Sequence, residues 1–251
     1  MLSKKFRAYL VFDSKVYFQE PMVLFFALIF PAAMYLAFGM LFGDSTYGSA
    51  RNSYYDEYTA SFLGIILLNT ALFNIAPSLV VYKELGFFRR LMVTPLSINS
   101  IVFSTLVKAF IIFILGMVEV FFLGWLMFDR IIPEYPLQVI FGLAISAFSL
   151  FAFGFMLGSL FKRSNSVFSA SVLIFQPMLF LSGATIPLET FNQLFLMIAQ
   201  VIPMYHVVEL LRLSWSGQLY SEAAIVPVVV SVVIGVICIF VANRTFEKSA
   251  V

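Results

Sequence analysis

The sequence predicts an all-α integral membrane protein with six transmembrane helices. Of its 251 residues, 62% are hydrophobic and 11% are charged, against about 45–50% and 25% in an average soluble domain. Five runs carry no charge at all, over 21–43, 58–82, 135–161, 164–188 and 223–243, and a sixth is broken only by Lys108 and Glu119. Each is long enough to cross a hydrocarbon layer of about 30 Å, which takes about 20 helical residues. None alternates in polarity as the strands of a membrane barrel do. The spans are therefore expected near 21–42, 58–81, 98–128, 137–161, 165–183 and 223–243, as a single transmembrane domain over 1–251.

Ahead of the first span, Leu2, Phe6, Tyr9, Leu10, Val16 and Tyr17 share one helical face, and Lys4, Arg7, Ser14, Lys15 and Gln19 gather opposite. Asp13 and Glu20 intrude on the apolar side. Such a segment, residues 1–20, either lies as an interfacial helix among anionic headgroups or serves as a basic flank that sets topology. The first apolar run exceeds the 7–15 residues of a signal-peptide core and no small-residue cleavage site follows, so it is expected to stay as a helix. Pro21 suits its first turn, and Pro31 is expected to kink it.

The connection after span one is rich in Gly, Ser, Tyr and Asp, and the DRIIPEYP stretch between spans three and four is a tight proline turn. KRSNS joins spans four and five as a short basic turn. From 182 to 222 no run is long enough for a span. FNQLFLMIAQVIP offers about twelve apolar residues before Pro203, the length of an interfacial or re-entrant piece. Two short outer-leaflet re-entrant helices are expected, near 188–201 and 204–214.

Six alternating spans place eleven Lys and Arg on one side and three (Arg51, Arg130, Arg212) on the other. By the positive-inside rule both termini are cytoplasmic in a multi-pass protein of the cell membrane. A seventh crossing would move Arg244 and Lys248 outside, against that bias. The net charge of +2 sums two unlike surfaces and gives no reason to expect a nucleic-acid partner. Cys238, the single cysteine, has no partner for an intrachain disulfide or a metal site.

Catalytic patterns are absent: one histidine, one cysteine, no phosphate-binding loop, no H-E-x-x-H and no paired carboxylates in a predictable pocket. The chain is not expected to be an enzyme by itself, nor to hold a metal. YKELGFFRRLMVTPLS at 82–97 combines apolar Phe87, Phe88, Leu91 and Met92 with charged Lys83, Glu84, Arg89 and Arg90. Anchors with a charged rim describe a docking surface, and an interfacial loop that tucks its phenylalanines among headgroups is the other reading.

That stretch resembles the cytoplasmic signature of the type-2 permeases of ATP-binding-cassette exporters. Glu84, Gly86, Arg90, Leu91, Val93, Thr94 and Pro95 match it, and Lys83 keeps the charge of the family's arginine. LSGATIPLETF at 181–191 and PMYHVVELLR at 203–212 are similar to the family's outer pair of short helices, with Ser182, Gly183, Pro187, Pro203, Glu209 and Arg212 in place. Tyr82, Leu85, Phe87, Arg89 and His206 depart from the usual pattern and make the region around 82–90 more basic and aromatic.

The resemblance covers essentially the whole chain and implies a half-transporter. Two permease chains, identical or paralogous, would face each other in membrane lipid, each docking an ABC ATPase subunit that binds ATP and Mg. A short coupling helix near 84–91 would seat in that subunit, with Lys83, Glu84, Gly86, Phe87, Phe88, Arg89, Arg90 and Leu91 at the contact. The implied function is export of a hydrophobic or amphipathic substrate (drug or antibiotic, lipid or peptide), which suits a chain with 31 phenylalanines.

Lys108 and Glu119 fall within about 20° of one helical face but about 16 Å apart along it. Lys108 is expected to snorkel toward the cytoplasm. Glu119 is expected either in a polar helix contact or on a substrate path. The alternative function is an ion-coupled secondary transporter using the two as a relay, although no broken-helix pair recurs in two halves. A receptor or scaffold without transport is the third reading.

Overall fold

The computed structural model describes residues 25–42, 54–86, 98–128, 133–186, 188 and 191–249. The expected interfacial helix over 1–20 lies outside them. Among the described residues every regular element is helical. Helix α1 opens with a π-helical turn, Phe25–Ile29, and continues as Phe30–Phe42. Helix α2 comprises Tyr54–Asn69, a π-helical stretch Thr70–Ile75, and Ala76–Glu84. Then come α3 (Ile98–Phe128), α4 (Pro136–Leu160) and α5 (Ser164–Leu181). Two short helices follow, α6 (Gln193–Val201) and α7 (Pro203–Trp215), and a 3-10 turn at Glu222–Ala224 leads into α8 (Ile225–Ser249).

Five stretches are long and apolar enough to cross a membrane: Tyr58–Glu84, Val102–Met127, Pro136–Leu160, Ser164–Leu181 and Glu222–Thr245. A shorter apolar stretch, Phe30–Leu41, lies in α1. Helix α2 runs antiparallel to both α1 and α3. Tyr35 late in α1 meets Thr59 early in α2 across 3.1 Å, and Lys108 early in α3 reaches Tyr82 late in α2, also at 3.1 Å.

At the centre stands α2, in which every residue from Tyr58 to Ala76 is buried. An apolar helix without a polar face belongs inside a bundle, and α2 has small residues where neighbours press closest. A Cβ on Gly154 of α4 would lie 2.5 Å from the Ala71 carbonyl oxygen, and one on Gly158 would lie 2.8 Å from that of Ala76. Glycine permits the two backbones to meet.

The π-helical turn of α2 follows from what surrounds it. The Ala76 N–H bonds to the Ala71 carbonyl, five residues back, and the widened turn frees the Leu72 carbonyl to accept from Ser171 Oγ of α5 at 2.7 Å. The other π-helical turn, in α1, faces this one. Asn69 Nδ2 donates to the Phe26 carbonyl, and the Phe26 and Phe73 rings stack 4.6 Å apart. Phe168 and Phe175 of α5 close on them edge-on, at 5.8 and 5.4 Å from Phe73. The break expected at Pro31 is taken up by the π-helical turn just before it, where proline's missing N–H would disturb an α-helical ladder.

Candidate functional site

Two polar clusters sit at opposite ends of α2, about 40 Å apart at 1.5 Å per residue. Lys83 and Glu84 occupy the last turn of α2, which ends three residues beyond the expected span. The chain then turns: Leu85 N–H bonds to Val81 O and Gly86 N–H to Lys83 O, each at 3.0 Å. Gly86 takes φ +61°, the left-handed conformation that ends helices and that glycine adopts without a Cβ penalty. Since a Cβ there would meet nothing within 4 Å, Gly86→Ala is expected to destabilise by only about 1 kcal/mol, measured as a small drop in melting temperature. Phe87, Phe88, Arg89, Arg90 and Leu91 lie outside the described residues.

The two charged side chains before the turn hold neighbouring helix ends, Lys83 half-buried and Glu84 at the exposed surface. Lys83 Nζ donates to the carbonyls of Gly158 (2.9 Å), Ser159 (2.6 Å) and Phe161 (3.4 Å). The first two belong to the last turn of α4, whose carbonyls lack helical partners and favour a cation. Glu84 accepts from the hydroxyl and the backbone N–H of Ser164, the first residue of α5. One helix thereby holds the end of α4 and the beginning of α5. Nearby, Lys108 is 3% exposed. Rather than snorkelling to water, its ammonium donates to the Tyr82 hydroxyl and lies 5.6 Å from that ring's centre.

At the far end, Arg212 of α7 ties three elements together. Its Nε donates to Ser61 Oγ of α2 at 2.9 Å, and its Nη2 to the Gly183 carbonyl at 2.8 Å. The guanidinium also stands 6.0 Å over the Tyr58 ring, a cation–π contact, while Tyr58 OH donates to Thr185 O at 2.7 Å. Gly183, at φ +79°, presents its carbonyl to Arg212, and a Cβ there would strike Leu188 at 2.7 Å. Ser182 Oγ turns inward to Leu179 O and accepts from Ala184 N–H.

Pro203 starts α7, and α6 and α7 meet at 90°. The single histidine crosses that bend, its Nε2 lying 2.9 Å from the Gln200 carbonyl. Glu209 pairs with the Tyr205 hydroxyl one turn before it. Pro187 lies outside the described residues.

Ser182, Gly183 and Arg212 are thus gathered into one network, whereas Glu119 belongs to neither cluster. One of its oxygens is buried without a hydrogen-bond partner among the described residues. Tyr58, Ser61, Thr185 and Ser164 are the members sequence reading missed. Hydroxyls scattered through apolar runs, or set in a short polar turn as Ser164 is, carry no periodic signal that would name their partners. Among the described residues no three His, Cys, Asp or Glu side chains come together as a metal site.

Comparison with known proteins agrees with a bundle of this kind. A family model described as ABC-2 type transporter matches residues 4–214. The chain belongs to the ABC-2 type transporter family. It is also similar to "Putative transport permease ycf38" of Cyanophora paradoxa, with 27% identity over 218 residues, covering 82% of this chain and 72% of that one. Members of the ABC-2 family are multi-pass transmembrane subunits of transporters, not themselves catalytic, and they pair with ABC ATPase subunits. In this permease the stretch containing Lys83 to Gly86 and the stretch containing Ser182 to Arg212 both fall within the matched residues.

Proposed function

We propose that this permease is the membrane half of an ATP-driven exporter for a hydrophobic or amphipathic substrate, such as a drug or antibiotic, a lipid or a peptide. ATP and Mg bind a separate ABC ATPase subunit, and a second permease chain, identical or paralogous, completes the path through the cell membrane. Both termini and the segment following Gly86 face the cytoplasm. Phe87, Phe88, Arg89, Arg90 and Leu91 form the contact with the ATPase subunit. The bent α6–α7 pair dips into the outer leaflet as a re-entrant element.

The observation that carries this reading is where the segment attaches. It leaves the end of α2, the helix buried on all sides, so a push delivered there acts on the centre of the bundle. Packed interiors move between discrete arrangements as rigid bodies, which suits ATP-driven switching. Phe88→Ala and Arg90→Ala are expected to leave insertion intact and to lower substrate-stimulated ATP hydrolysis by the assembled complex at least tenfold, the scale of losing an interface anchor. Unchanged stimulation in both variants would remove this segment from the contact.

The buried oxygen of Glu119, unpartnered among the described residues, favours one alternative, an ion-coupled carrier. Transport that continues without ATP, follows the pH gradient and stops in Glu119→Gln would support it.

A further inference from the structure

We infer that Lys83 and Glu84 are positioning residues that fasten the α4–α5 turn to the end of α2, so that the turn travels with the coupling segment. They are not themselves contacts for the ATPase subunit. This rests on the reading of the segment after Gly86 as the docking site.

The geometry is specific. Lys83 places one ammonium against three carbonyls that close α4, where the helix ends and its last acceptors have no internal donors. The next residue, Glu84, sets its carboxylate on the hydroxyl and backbone N–H that open α5, where negative charge is favoured. Between the two helices only Phe161, Lys162 and Arg163 intervene. Adjacent side chains of opposite charge thus grip the two helix ends of opposite polarity flanking one short turn. Gly158, whose carbonyl is one of the three, also lets α4 pack closely onto the Ala76 carbonyl of α2.

A docking residue needs its charge free, and both of these are already engaged: Lys83 is half-buried against the carbonyls that close α4, and Glu84, although exposed, is held by Ser164. With the grip in place, displacement of α2 carries α4 and α5 with it. Without it, the α4–α5 turn lags and hydrolysis is no longer matched to transport.

The test uses the full-length chain with its ATPase subunit in nanodiscs. Lys83→Met and Glu84→Gln are expected to keep the ATPase subunit bound and its basal hydrolysis unchanged, while transport per ATP falls roughly five- to tenfold, the scale of a typical coupling between sites. Lys83→Arg, which retains donors, restores most of the ratio. Ser164→Ala, a milder change that leaves the backbone N–H in place, lowers the ratio less than Glu84→Gln does, and the double variant is no worse than Glu84→Gln alone, as expected of one shared contact. A nitroxide at exposed Asn165, introduced as Asn165→Cys with Cys238→Ala, reports the start of α5 without any ATPase. Its spectrum becomes more mobile in Glu84→Gln and Ser164→Ala.

Loss of the ATPase subunit from the Lys83 and Glu84 variants alone, or an unchanged nitroxide spectrum, overturns the inference. If the unaltered chain binds no ATPase subunit, the docking reading fails, and the nitroxide result shows separately whether the grip exists.

Discussion

Gly154→Val is expected to abolish recovery of folded permease, seen as loss of the monodisperse peak when detergent-solubilised protein is chromatographed. A Cβ at this position would lie 2.5 Å from the Ala71 carbonyl oxygen and 3.1 Å from the Ala71 Cα, atoms of backbone that no rotamer change can move. That carbonyl is bonded to the Ala76 N–H within the π-helical turn. The next residues along carry the Leu72–Ser171 bond and the Phe26–Phe73 stack. Separating α4 from α2 therefore disturbs α1 and α5 together. Overpacking typically costs 1–3 kcal/mol where side chains can yield, and here the yielding element is the central helix. Gly154→Ala is expected to fold with a clearly lowered melting temperature. Leu173→Val, on the exposed side of α5, is expected to be nearly neutral and serves as the control. A valine variant melting with the unaltered protein would mean that α4 and α2 do not approach this closely.

Arg212→Met is expected to destabilise by about 2 kcal/mol, from the loss of two charge-assisted hydrogen bonds. Polar contacts between membrane helices average only about 0.6 kcal/mol, but this side chain satisfies two partners at once. Removing it takes one donor from fully buried Ser61 and another from the carbonyl of buried Gly183. Methionine keeps the apolar stem, so the change isolates the guanidinium. Arg212→Lys is expected to recover less than half, because a single ammonium cannot occupy the Nε and Nη2 positions together. Thermal unfolding in nanodiscs measures the loss, and thiol labelling of Thr185→Cys in a Cys238→Ala background reports local loosening of the turn after α5. Equal melting temperatures for the methionine and native chains would show that the network contributes nothing to holding α7 against α2.

Class and family were legible because their physical causes are written residue by residue. A bilayer demands long runs without charge, and the runs beginning near 58, 98, 136, 164 and 223 all appear as apolar helices. The proline at 203 likewise marks the start of α7, a first-turn position where its missing N–H leaves no helical bond unmade. Lys83 and Glu84 show the limit of such reading. Their charge suggests a docking surface, but nothing in the string tells that the ends of α4 and α5 arrive beside them. Lys108 shows it again: a cation near the end of a span is expected to reach for water, yet a tyrosine from the neighbouring helix meets it first.

By itself the amino-acid order determined that this chain is an all-helical, multi-pass membrane protein with the signature of a transporter permease. Hydrophobic length, charge placement and proline position are properties of single segments, so each can be read without knowing its neighbours. Only tertiary structure decided that α2 is the centre, that two π-helical turns face each other across Phe26 and Phe73, and that Arg212 joins α7 to α2. Those features depend on which surfaces meet, and when most residues are apolar on every side, patterning no longer says which face turns inward. Small residues such as Gly154 and lone hydroxyls such as Ser171 settle the packing, and their meaning exists only once the partner backbone is beside them.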